Sequence, residues 1–226
     1  MPRRAFLLIA FLLFACAPAG PPVKPNDREW SLLTADYQWI QTLRGAQRPA
    51  PADAPRRQQI EVLLDNYKKL EPTYGTFIDK MAEYWQRTAD PRAAQLLANE
   101  KIRLADDYMN ILSRYDKAIE LYRAALEFEP ANAIATQRVA IAEQRRYVSM
   151  SSFAGVKKGM KEDDVRRLVG LPREDWIKQV VQGNRVFSVW IYPKADGGAS
   201  AVYFDNGVVY HTNWNAAAPT TGAAAR

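Results

Sequence analysis

From Trp30 onward the chain repeats apolar residues at spacings of three and four. Trp30, Leu33, Tyr37 and Ile40 form one such run, and Ile60, Leu63, Tyr67 and Leu70 form a second. That spacing lines one face of an α-helix. Pro72 follows the second run, so that helix is expected to end there, and a separate helix is expected to carry Phe77, Met81, Tyr84 and Trp85. Asp90-Pro91 opens another, because aspartate caps a helix N-terminus and proline suits its first position. Between the first two helices, Gly45, Pro49, Pro51 and Pro55 mark a loop. After Tyr147 the pattern changes. Residues 159–172 read as a short helix with Glu162, Asp163 and Asp164 in its first turn, Val165, Leu168 and Val169 on its apolar face and Gly170 at its end. Strands are expected at 176–181, 185–192, 201–204 and 208–214. The last two are joined by Asp205-Asn206-Gly207, a strong hairpin signal, so the four make an antiparallel meander packed on the helix.

Ahead of all this stands a separate hydrophobic signal. Arg3 and Arg4 precede an apolar run over residues 5–14, and Ala15 precedes Cys16, the only cysteine. A basic head, a roughly ten-residue apolar stretch and a small residue before the cut make a secretory signal over residues 1–15. The run is too short to cross a bilayer, which takes about 20 apolar residues. Residues 16–27, with Pro18, Pro21, Pro22 and Pro25, read as an extended tether. The Leu-x-Ala-Cys spelling at 13–16 resembles a bacterial lipobox. That resemblance implies lipidation of Cys16 and cleavage before it. Two or three acyl chains hold a protein on a membrane stably where one does not. Ala17 stands where aspartate would, by the enterobacterial rule, retain a lipoprotein at the inner membrane, so the periplasmic face of the outer membrane is the expected location.

Within the helical part, spanning 28–149, Tyr115, Ala118, Tyr122, Ala125 and Pro130 fall at the spacing of a tetratricopeptide repeat's second helix, which this stretch resembles. Placing Pro130 in that register starts the clearest repeat at Asn99, giving residues 99–132. Residues 133–143 then form a following or capping helix. A single repeat cannot bury its face alone, so the neighbouring helices complete the stack. The resemblance implies that the first helix of the repeat lines a concave groove, placing Glu100, Arg103, Asp107 and Asn110 there as candidate partner-binding residues; the alternative is that they only keep the array soluble.

In residues 150–215, Gly159-Met160, Val165, Leu168, Gly170 and Pro172, then Trp190, Tyr192, Phe204 and Asn206-Gly207, resemble the SmpA/OmlA family, the small lipoprotein subunit of the outer-membrane β-barrel assembly machinery. The resemblance implies a helix pair on a three-stranded sheet that scaffolds partners without catalysis. On that sheet Phe204 and Val209 are expected as cross-strand neighbours with Val202 on the same face. Tyr203 and Tyr210 then fall on the opposite face, either exposed as a binding surface or covered by the helical array.

Composition narrows the chemistry further. The formal net charge is +6, of which Arg3 and Arg4 leave with the signal. The remainder is too mild and too dispersed for a nucleic-acid-binding face. With one cysteine and one histidine, His211, thiolate and histidine-rich metal sites are excluded by count. No glycine-rich phosphate loop and no Gly-x-Ser-x-Gly elbow occurs. Asp106-Asp107 and Asp163-Asp164 are adjacent on helices and point about 100° apart, so they do not converge on one bond. No cofactor and no small-molecule substrate is expected. The sequence therefore reads as a mainly α helical-repeat array followed by a small α+β domain with an antiparallel sheet, and its tail, 216–226, reads as disorder. The expected function is a non-enzymatic, membrane-anchored scaffold that binds other envelope proteins in outer-membrane protein assembly; an envelope-stabilising or cell-wall-associated adaptor is the alternative. The Cys16→Ser variant should accumulate as uncleaved precursor without incorporated fatty acid. Intact-mass measurement of wild type and variant checks this; wild-type protein found soluble with Met1 intact would contradict it.

Overall fold

The structure, a computed structural model, describes residues 24–51 and 54–218. Five helices come first: α1 (Asp27–Gly45), α2 (Arg56–Thr88), α3 (Pro91–Asn110), α4 (Tyr115–Phe128) and α5 (Ala133–Arg146). Two short ones follow, α6 (Met150–Ala154) and α7 (Glu162–Val169), and then, after one 3-10 turn, strands β1 (Ile177–Gln182), β2 (Arg185–Pro193), β3 (Ala199–Asp205) and β4 (Val208–Ala216). The chain is mainly helical with a C-terminal four-stranded antiparallel sheet in meander order β1-β2-β3-β4.

The helix starts follow local chemistry. Asn26 accepts from the amides of Arg28 and Glu29 to open α1, and Asp90 accepts from the Arg92 amide to open α3, with Pro91 behind it. Asp90 is only 1% exposed. Hydrogen bonds from the Arg92 guanidinium, then from Tyr84, overcome the opposing effect of burial and hold its carboxyl at about 2. This buried cap fixes the α2–α3 corner.

Pro72 does not end a helix. α2 runs through it for 33 residues. An interior proline costs roughly 3 kcal/mol, but Leu70, Tyr74, Phe77, Ile78 and Met81, on both sides of it, are buried in one core with Leu33 and Ile40 of α1 and Leu97 of α3. Burying each such side chain gains about 1.5–3 kcal/mol, so continuity wins. Asn99, the expected start of the clearest repeat, likewise lies in the middle of α3. A second core joins α3, α4 and α5 through Ala98, Ala105, Ala118, Tyr122, Ala125, Ala135 and Ala142. The alanines permit close approach where these three helices pack.

In the α/β part, Phe153 of α6 and Val165 of α7 pack with Val156 on Trp190, Tyr192, Val202, Phe204 and Val209 of the sheet. Phe204 and Val209 are cross-strand partners, as expected. Leu168, expected on the buried face of α7, is instead largely exposed; the eight-residue helix turns only Val165 and Val169 inward. Asn206 and Gly207 both adopt positive φ, the two-residue turn that suits the right-handed twist of a hairpin. The fourth strand, β1, extends the sheet beyond the three that the SmpA/OmlA resemblance implies. β4 reaches Ala216, so the expected disordered tail starts inside a strand; its residues 219–226 lie outside the described residues, as do the signal and residues 16–23 with Cys16.

The helical and α/β parts are bolted together by Arg56, at the first position of α2. Its guanidinium donates to the Pro172 carbonyl (2.7 Å), to Ser113 Oγ (2.9 Å) and to the Ile111 carbonyl (3.4 Å), and lies 3.7 Å from Glu174. Burial pulls its pKa below the ordinary arginine value and Glu174 pulls the other way. The Val148 amide donates to the Pro193 carbonyl (3.0 Å), joining the chain just after α5 to the end of β2. Tyr192 Oη donates to the Gly170 carbonyl, fixing the loop that Arg56 grips. Arg56→Ala should lower stability by about 2–4 kcal/mol through the loss of charge-assisted hydrogen bonds and split the unfolding transition in two. Calorimetry checks this; a single unshifted transition would contradict it.

Candidate protein-binding surfaces

Glu100, Arg103, Asp107 and Asn110 share one side of α3, but α1 and α2 cover most of it. Glu100 is 3% exposed. Its carboxylate accepts two parallel hydrogen bonds from Arg44 of α1 (2.8 and 2.6 Å), one from Tyr37 (2.9 Å) and two from Arg103 (3.4 and 3.2 Å). Asp107 accepts from Tyr67 of α2 (2.5 Å), and the Arg103 guanidinium lies over the Tyr67 and Tyr74 rings. Of the four, only Asn110 is exposed. The expected open groove is thus corrected: Glu100, Arg103 and Asp107 form an internal polar cluster that clamps α1 and α2 onto α3.

The electrostatics fit that role. Burial pulls Glu100 upward, but the Arg44 hydrogen bonds, the Arg103 charge and Tyr37 together hold its pKa below the ordinary value, so it stays ionised. Burial raises Asp107, against the pull of Tyr67 and Arg103, and raises Tyr37 and Tyr67, which neighbouring carboxylates raise further. Sequence showed half of this arrangement. Glu100 lies three residues after Leu97, in phase with the buried side of α3, and Tyr37 and Arg44 are seven apart on α1. Those phases were the available signal that Glu100 faces inward.

Asp106 and Asp107 do separate, as their adjacency predicts. Asp106 takes Tyr122 of α4 (2.5 Å) and lies 3.6 Å from Arg138 of α5, whereas Asp107 takes Tyr67 of α2. They hold different helices. Among the described residues no three His, Cys, Asp or Glu side chains come within metal-ligating reach of one another, and no helix is long and apolar enough to cross a membrane.

Tyr203 and Tyr210 lie on the face of the sheet opposite α6 and α7. Their rings are 6.2 Å apart, Phe187 of β2 lies 6.4 Å from Tyr210, and His211 lies 5.2 Å from Tyr203. The register explains the crowding. Tyr203 faces His211 while the next residue, Phe204, faces Val209, so one residue of β4 is extra. This bulge turns Tyr210 and His211 toward the same side. Val180, paired with Phe187, extends the apolar stripe to the β1 edge and is 55% exposed; Tyr210 is 45% exposed. At the other end Trp176 packs over Ile191, Ala199 and Ala201. Toward the hairpin turn no helix among the described residues covers the stripe. Arg185, gripping Asp205, borders it and lies over the Phe187 ring.

Compared with known proteins, the chain matches no family model, no curated protein and no solved structure.

Glu100→Ala should destabilise the protein by about 3–5 kcal/mol, because it leaves Arg44 charged and unpaired in the interior. Asn110→Ala, at the exposed end of the same helix, should change stability by less than about 0.5 kcal/mol. Denaturant unfolding of both variants checks this; equal, small effects would return Glu100 to a solvated surface.

Proposed function

We propose that this chain is a lipid-anchored periplasmic scaffold, held at the outer membrane through Cys16, that binds envelope proteins and carries out no catalysis. In this reading α3, α4 and α5 are a tetratricopeptide-like unit, and residues 150–215 are an SmpA/OmlA-like domain serving outer-membrane protein assembly. The observation that carries the proposal is the open stripe of Val180, Phe187, Tyr203 and Tyr210. Aromatic rings on a sheet face that no helix among the described residues covers are the residue type that dominates protein–protein contacts. The stripe is rigid, because the opposite face of the same sheet is packed on α6 and α7. The lipobox-like spelling at 13–16 and the proline-rich tether support the location, since a lipidated Cys16 on such a tether keeps the folded body within reach of a membrane.

A photoreactive phenylalanine at position 210, activated in native envelopes, should crosslink a component of the barrel-assembly machinery. Tyr210→Ala should reduce co-purification of that component at least about tenfold, the loss expected of a contact-centre tyrosine, while leaving thermal stability unchanged. Crosslinks that contain no assembly component, together with co-sedimentation of the protein with purified sacculus, would overturn the assembly role in favour of a cell-wall adaptor.

A further inference from the structure

A cavity of about 170 Å³ opens where the two parts of the molecule meet. Tyr115 at the start of α4, Tyr147 after α5 and Trp176 before β1 wall it, and Leu171 and Tyr192 contribute apolar surface below. Its cations come from two places: Arg145 and Arg146 from the last turn of α5, and Arg173 from the loop after α7. Arg173 is neutralised by a two-pronged contact with Asp175 (3.0 and 2.6 Å). Arg146 lies 4.9 Å over the Tyr147 ring, and neither it nor Arg145 has a carboxylate partner among the described residues. The one carboxylate lining the cavity, Asp116, faces Arg114 at 3.8 Å. The negative end of the α5 dipole amounts to about half a charge, less than the two arginines supply.

We infer that this junction cleft is a second binding site, which takes an acidic, extended segment of a partner protein by seating an apolar side chain among Tyr115, Tyr147 and Trp176 and pairing a neighbouring carboxylate with Arg145 and Arg146. An apolar cavity with a few convergent charges at a domain junction is the usual form of a ligand site. The walls are already held in place: Arg56 and the Val148–Pro193 hydrogen bond lock both sides of the cleft, so little ordering is left to oppose binding. A protein segment fits better than an anionic bilayer. The cleft is a concave site of about 170 Å³ that already holds one carboxylate, Asp116, so a flat anionic surface does not enter it, whereas one inserted side chain does. Trp176 belongs both to this cleft and to the covered end of the sheet's outer face, but the inference does not depend on that face binding anything.

The test uses the full-length protein in detergent. Displayed random heptapeptides are selected on wild type and counter-selected on an Arg145→Glu/Arg146→Glu double variant; both positions are exposed, and thermal melts verify that the variant folds. Enriched peptides should carry Asp or Glu beside an aromatic or aliphatic residue. A synthetic one should bind Arg145→Ala/Arg146→Ala about tenfold more weakly than wild type, as expected when rim charges are removed, should bind less tightly in high salt, and should bind Tyr210→Ala as well as wild type. Three results would overturn the inference: enrichment without acidic preference, equal affinity for the double variant, or arginine-dependent binding of vesicles containing anionic phospholipid without peptide binding. Loss of peptide binding in Tyr210→Ala would also overturn it, by moving the site to the sheet.

Discussion

The grip of Arg56 on the Pro172 loop is the contact on which the rest of this molecule depends. One guanidinium at the start of α2 reaches the α3–α4 connection through Ser113 and Ile111, and the α/β part through Pro172 and Glu174. Arginine suits this position because its planar fork can serve several carbonyls and still remain charged when partly buried. Together with the Val148–Pro193 hydrogen bond, that contact ties the helices to the sheet. With it, the junction cleft has fixed walls and the outer face of the sheet holds a fixed direction relative to the helical stack.

A second constraint works inside the stack. The Glu100–Arg44 pair, with Tyr37 and Arg103 around it, ties α1 to α3 across the flank of the long helix α2. A buried ion pair is weak evidence of net stabilisation, because desolvation offsets most of its attraction. Its effect is on specificity. Arg44 and Tyr37, both on α1, reach Glu100 from the same helix that carries Leu33 and Ile40 into the core, so the pair and the core packing favour the same placement of α1. Glu100, Arg103 and Asp107, which could have lined a groove, are thereby consumed in building the body.

Much of this architecture was legible in the chain. Asp90-Pro91 marked the start of α3, Asn206-Gly207 marked the last hairpin, and the alternation around Val202 and Phe204 assigned the inner face of the sheet correctly. These are local signals set by one or a few residues. The failures were non-local. Proline at 72 carries a local instruction to stop, overridden by apolar residues on both sides that share a core with α1 and α3. Glu100 has a polar side chain at an inward phase, and only the arrival of Arg44 from 56 residues upstream makes that tolerable. The bulge that brings Tyr210 beside Tyr203 is a one-residue offset between strands, and Arg56 looks in sequence like any solvated residue in a first helical turn. Each needed the three-dimensional partner to be seen.

The central claim is that a single rigid body presents its uncovered sheet face to a partner in the envelope. Amide hydrogen exchange compares the protein in native membranes with the same protein purified in detergent. The account predicts slower exchange in native membranes along β1 and at Tyr210 and His211, where a docked partner would shield the backbone, with α1–α3 unchanged. Equal exchange at the sheet in both preparations would contradict it.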